Sequence, residues 1–271
     1  MSGLTGDQAL ELAERFVAMG DLAEAQIRCA EILSAQPDHP GALRLASAIQ
    51  LRSGMIAAYR IALPSRADRA ARCRRNLRDQ GFPDHFVTPI PAVEDVDFGA
   101  VGAGKSHIAA LTEAFIRGQS PYCLILEDDF EFIEPAHLLV GRLTAAAAAG
   151  LRWDVLLLGG SELLPYGPSP LKSLLRVFEA NTAAGYVVNR HYIPTLLNCF
   201  VEAVAQLERF REVRPRSLIN GRYAIDVAWK ALQRRDHWYV ANPALGHHRA
   251  GYSDVQGGFY DYGAINFYAA P

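Results

Sequence analysis

Tyr122-Cys-Leu-Ile-Leu-Glu127-Asp128-Asp129-Phe130-Glu131-Phe132 is an apolar run that ends in three consecutive carboxylates. The run has the length and composition of a buried strand. The acids that follow repel one another, and each ionises less readily unless a cation or strong donors sit among them. A hard divalent metal with oxygen ligands is the natural neutraliser of such a cluster. Acids at the carboxyl end of a buried strand also lie where open α/β sheets bind ligands. The stretch therefore points to a metal-dependent enzyme acting on a phosphorylated substrate. Alternate side chains of an extended segment share a face. Glu127 and Asp129 are thus expected to point one way and Asp128 the other.

Outward from this strand, the pattern alternates. Residues 57–63 suit a strand stopped by Pro64-Ser65, and Arg66 to Gln80 reads as an arginine-rich helix closed by Gly81. A second strand is expected over 85–90 and a helix over 104–117. Beyond the acids come a helix over 138–149, a strand over 153–158 ended by Gly159-Gly160, and a strand over 185–188. A helix then runs to about Leu207, followed by a helix over 224–234 and a strand over 238–240. Strands alternating with helices imply an α/β fold with a mainly parallel sheet flanked by helices. The tail beyond Gly246 reads as an ordered loop or a lid over a site.

The first 54 residues differ. They read as helices broken at Gly20-Asp21 and at Pro37 and Pro40, and Leu12, Ala13, Gly20, Ala25, Leu33 and Pro37 have the order and spacing of a tetratricopeptide repeat. The expected organisation is a small all-α extension over 1–54 and an α/β domain over 55–271. One repeat is too little to stand alone. The extension should pack on its neighbour, on a second copy of the chain as a homodimer, or on a protein partner.

The chain has 271 residues, a formal charge of −2, 50% hydrophobic and 21% charged residues, so composition suggests no nucleic-acid partner. Cys29, Cys73, Cys123 and Cys199 form no CxxC motif; Cys29 and Cys123 read as small core residues, and a reducing, cytoplasmic setting is expected. No basic segment followed by an apolar run opens the chain, which argues against a secretory signal, and no uncharged apolar stretch reaches membrane-spanning length.

Gly99-Ala-Val-Gly-Ala-Gly104-Lys105-Ser106 matches the phosphate-cradling loop GxxxxGK[ST] of nucleotide hydrolases. A phosphotransferase using Lys105 is therefore an alternative. Its context is poor, because such a loop must leave a buried strand, and Pro89, Pro91, Glu94, Asp95 and Asp97 precede it. A Gly-rich turn leading into a helix N-capped by Ser106 is the plainer reading.

Several separated segments together resemble glycosyltransferase family 25. They are Arg60-Ile-Ala-Leu63 with Ser65-Arg66-Ala-Asp68-Arg69, Gly102 to Ile108, Leu124 to Asp129, Trp153 to Gly159, Thr182 to Val188, Ile225-Asp226 and Ser253-Asp254. The resemblance spans roughly residues 57 to 257 and excludes the N-terminal repeat. It implies a GT-A type, Rossmann-like fold and inverting transfer of a hexose such as galactose. It further implies a nucleotide-sugar donor, with UDP expected, and Mn²⁺ or Mg²⁺. A glycan or lipid-linked acceptor follows, as in lipopolysaccharide synthesis, with possible work at the inner membrane face.

In that setting Asp129 is the expected metal ligand, with Asp128 beside it or at the ribose. His247 or His248 would add a nitrogen ligand, or both stay in solvent. Leu63, Pro64, Arg66 and Arg69 follow the first strand, where a nucleotide would enter, and a guanidinium suits a diphosphate. The other donor-side candidates are Ser106, His107, Gly159, Ser253 and Asp254. Glu127 and Asp226 are the candidate catalytic carboxylates; Asp226 reads equally as an acid at a helix N-terminus.

Overall fold

The 122–127 run sits at the middle of the fold because helices cover both of its faces. The computed structural model describes residues 5–82, 84–160, 166–253 and 258–261. The helices are α1 (Gly6–Ala18), α2 (Leu22–Ala35), α3 (Pro40–Arg52), α4 (Ala67–Asp79), α5 (Gly99–Ile116), α6 (Ala136–Ala148), α7 (Ile193–Arg209), α8 (Arg216–Tyr223), α9 (Ile225–Ala228) and α10 (Lys230–Arg235). The strands are β1 (Ile56–Ala62), β2 (Val87–Pro91), β3 (Tyr122–Glu127), β4 (Phe130–Phe132), β5 (Val155–Leu157), β6 (Tyr166–Gly167), β7 (Leu174–Val177), β8 (Gly185–Asn189), β9 (Trp238–Ala241), β10 (Gly246–His248), β11 (Gly251–Ser253) and β12 (Gly258–Tyr260).

Among the described residues the main sheet has eight strands in the order β2-β1-β3-β8-β5-β9-β7-β6. The expected mainly parallel sheet flanked by helices is present. β2, β1, β3, β5 and β9 share one direction, while β8 and β7 run against them. β2 forms the edge, which is where Pro89 and Pro91 can sit without breaking a ladder.

The pleat divides the core. Cys123 and Ile125 pack with Leu111 of α5, Phe200 of α7 and Trp229. Leu124 and Leu126 pack on the other face with Cys73 and Leu77 of α4 and Leu139 and Leu143 of α6. A strand buried on both faces must be apolar at every position, which is what 123–126 supplies.

The first three helices pack on one another around Ala13, Ala25, Cys29 and Ile49. Their neighbour is α6: Gln50 Nε2 donates to Thr144 Oγ1 at 3.0 Å and Ser47 Oγ to the His137 carbonyl at 3.3 Å. Leu51 enters the core beneath.

Several expectations need correction. The 99–106 segment is not a phosphate loop but the first two turns of α5. Its amides serve the helix, and Lys105 pairs with Glu208 at 2.6 Å. Ser106 is therefore inside the helix rather than at its N-cap. Its hydroxyl donates to the Gly102 carbonyl at 2.7 Å and accepts from the Val93 amide at 2.8 Å. Gly102 makes this join possible, since a Cβ there would meet the Val93 carbonyl at 2.6 Å. The helix expected over 224–234 is two short helices meeting at Trp229. The tail after Gly246 contains strands β10, β11 and β12.

Candidate functional site

The first strand, the acidic turn and the tail converge at the carboxyl ends of β1 and β3. A cleft of about 630 Å³ opens there, lined by Leu63, Arg69, Ser106, His107, Glu127, Asp128, Asp129, Thr182, Asp226, His248, Ser253 and Tyr260, among others. This volume falls within the range of roughly 300–1,000 Å³ typical of small-ligand sites.

Sequence-distant segments are brought together by a two-stranded ladder. β10 pairs antiparallel with β4, setting His248 against Phe130 and His247 against Glu131. The Arg249 amide donates to the Asp129 carbonyl at 2.8 Å and fixes the turn. Alternation along β10 sends His248 inward and leaves His247 outside the cleft lining. Two glycines make the ladder possible: Cβ atoms at Gly185 or Gly246 would overlap the Phe130 ring packed between them.

Glu127, Asp129 and His248 present one ligand atom each within 4.8 Å of one another. His248 Nε2 stands 3.5 Å from Glu127 Oε2 and 3.7 Å from Asp129 Oδ1. Asp128 faces Arg69, whose Nη1 lies 3.6 Å from Asp128 Oδ1 and 3.6 Å from Asp129 Oδ2. Those distances exceed a hydrogen bond, so Arg69 acts on both acids as a nearby charge. Asp129 Oδ1 is buried and accepts no hydrogen bond among the described residues. Two carboxylates with one imidazole, and a buried oxygen still lacking a donor, fit a divalent cation such as Mn²⁺ or Mg²⁺.

Behind this group lies a buried relay. His107 is fully buried; its Nε2 is 2.9 Å from Glu127 Oε1 and its Nδ1 is 3.1 Å from the Tyr186 hydroxyl. A carboxylate only accepts, so Nε2 carries the proton toward Glu127; in the neutral ring Nδ1 accepts from Tyr186.

The electrostatics separate the carboxyls. Burial pushes Glu127 upward, but bonds from His107 and His248 outweigh it and hold the group well below the usual range. Burial, then the Asp129 charge, pushes Asp128 up to about 7. Burial, aided by Glu127, also raises Asp129. Asp226 is raised by burial, although the Thr182 amide donates to its Oδ2 at 3.1 Å. Burial disfavours the His248 cation, yet Glu127 and Asp129 raise it above its ordinary value.

Of the remaining sequence candidates, Pro64, Arg66 and Gly159 lie outside the cleft lining. Arg66 is the N-cap residue of α4. Gly159 permits close packing, because a Cβ would collide with the Gly246 carbonyl. Asp254 lies outside the described residues. The sequence reading missed Asn181, Tyr260 and the 93–96 segment, all of which line the cleft. Thr182, just before β8, has φ 87°, a region that a β-branched residue rarely enters. No local pattern announces such a conformation.

No family model matches the chain, and no curated protein matches it. The resemblance to glycosyltransferase family 25 thus rests on the sequence segments alone. Among solved structures, the crystal structure of A197 from STIV aligns with TM-score 0.43 and 12% identity over 80% of this chain and 97% of its own. A glycosyltransferase involved in the glycosylation of the major capsid of PBCV-1 aligns with TM-score 0.40 and 13% identity over 74% and 95%. Superpositions this loose transfer no activity.

Proposed function

We propose that the chain is an inverting, metal-dependent glycosyltransferase of GT-A type. It moves a hexose such as galactose from a UDP-sugar to a glycan or lipid-linked acceptor. The observation that carries the reading is the convergence of Glu127, Asp129 and His248 at the end of β3 within the cleft. Asp129 and His248 would hold Mn²⁺ or Mg²⁺, with Glu127 completing the set; when bound, the ion supplies positive charge to the departing diphosphate. Arg69 offers a guanidinium beside the same acids and suits the same phosphate oxygens. Glu127, fixed by His107, stays ionised and orients His248. Asp226 accepts the proton of the attacking hydroxyl, because its raised pKa makes it a better base than an exposed aspartate.

The test is a titration of UDP, GDP and CMP sugars with and without Mn²⁺, followed by donor hydrolysis. UDP-sugar binding should require the ion and disappear in Asp129→Ala and His248→Ala. Asp226→Asn should retain donor binding while turnover falls by roughly 100-fold or more. Lys105→Ala should leave both intact. Donor binding indifferent to Mn²⁺, or binding of ATP in preference to every sugar nucleotide, would overturn the reading.

A further inference from the structure

The segment 209–222 carries five arginines against the single acid Glu212, in a chain whose overall charge is −2. Elsewhere several exposed arginines are offset by neighbours, as Arg72 is by Asp68 and Arg234 by Glu179. Here only Arg211 is neutralised, by Asp95 and Glu208. Arg209, Arg214 and Arg222 are exposed and pair with no carboxylate among the described residues. Large apolar side chains stand among them: Leu218 is 65% exposed and Val213 41%. On α8, Ile219 turns inward to the core formed with Phe98 and Leu207, while Leu218 and Arg222, four residues apart, share the outer face.

This surface is joined to the cleft. Arg211 binds Asp95, and Arg216 lies over the Phe98 ring at 4.5 Å. Asp95 and Val96 line the cleft, and Val96 is 91% exposed, so the Arg211–Asp95 pair ties this surface to an apolar point at the opening. Helix α4 is also rich in arginine but has no exposed large hydrophobic side chain. Cationic side chains around apolar ones on a single face are what a bilayer with anionic headgroups accepts: the guanidinium groups meet phosphate while the aliphatic groups enter the interface.

We propose that α8, the turn before it and Val96 form a docking surface for an anionic lipid membrane, set so that a lipid-borne acceptor reaches the cleft without leaving the bilayer. The membrane contact stands on the arginine and apolar pattern; the acceptor role rests on the transferase reading.

Sedimentation of the full chain with phosphatidylcholine vesicles, and with vesicles in which phosphatidylglycerol replaces part of it, tests the contact. Binding is expected to the second kind only and to weaken with salt. Each of Arg214→Ala and Arg222→Ala should weaken it by roughly fivefold, and Leu218→Ser should weaken it at unchanged charge. Thermal melting establishes that the variants fold, and donor hydrolysis, which needs no lipid, should stay at the parent level. Equal binding to neutral vesicles, no binding by the parent, or variants that bind like the parent would overturn the proposal. So would soluble glycerophosphate displacing the protein from vesicles, which would assign the surface to free phosphate. A parent chain that hydrolyses donor but binds no vesicle refutes this inference alone. Vesicle binding without metal-dependent donor binding refutes the transferase reading alone.

Discussion

His107 is fully buried, yet both of its ring nitrogens have partners, Glu127 on one side and Tyr186 on the other. Tyr186 is a core residue whose hydroxyl also selects the tautomer that holds Glu127. Tyr186→Phe would leave Nδ1 buried without a donor, at a cost of about 1–3 kcal/mol in chemical denaturation. In His107→Ala, Glu127 loses the strongest of the bonds that depress it. Its pKa should rise, moving the acid limb of donor hydrolysis to higher pH. An unchanged limb would mean that Glu127 does not titrate in the reaction. The carboxylates themselves were legible from three acids in a row after a buried strand. Their partners were less so. Of His247 and His248, identical in local context, the ladder register selects the second.

Elements whose character comes from their own residues were readable, and elements defined by partners were not. The 123–126 run could only be a covered strand, and Gly81, at φ 93°, closes α4 as its type suggests. β4, by contrast, is three residues long and exists because β10 returns to pair with it. The Gly99–Ser106 motif was misleading because glycine spacing is the same in a loop and in a helix that another segment must approach closely. The β4–β10 ladder carries a direct test. Gly246→Ala places a methyl against the Phe130 ring and the Glu131 carbonyl. Overpacking of this kind costs about 1–3 kcal/mol. Melting should fall accordingly, and Mn²⁺ affinity should fall further than stability does, since His248 is carried on the same strand. Parent-like Mn²⁺ affinity in this variant would show that the ladder does not set the site.

At the level of the whole molecule, the cleft makes stability depend on pH. Asp128 is raised from 3.8 to about 7 by burial and by Asp129. A carboxyl raised in the folded state contributes stability that is fully present below its unfolded pKa and is lost as pH rises through the folded one. His248, also raised, acts in the same direction. Glu127 is depressed, so its own contribution is lost only in strong acid, outside this window. Metal-free protein should therefore melt higher at about pH 5 than at about pH 8, and Asp128→Asn should remove much of the slope. Mn²⁺ competes with protons and should raise the melting temperature most at the alkaline end. A flat metal-free profile would contradict this electrostatic picture.

All eight strands of the main sheet are complete by Ala241, seven residues before His248. A growing polypeptide that has reached that point owns its whole framework but not the imidazole that closes the acidic cluster. A chain cut after Ala241 would keep every strand of that sheet and lack the third ligand atom of the proposed metal group, so ion uptake would report the arrival of the tail.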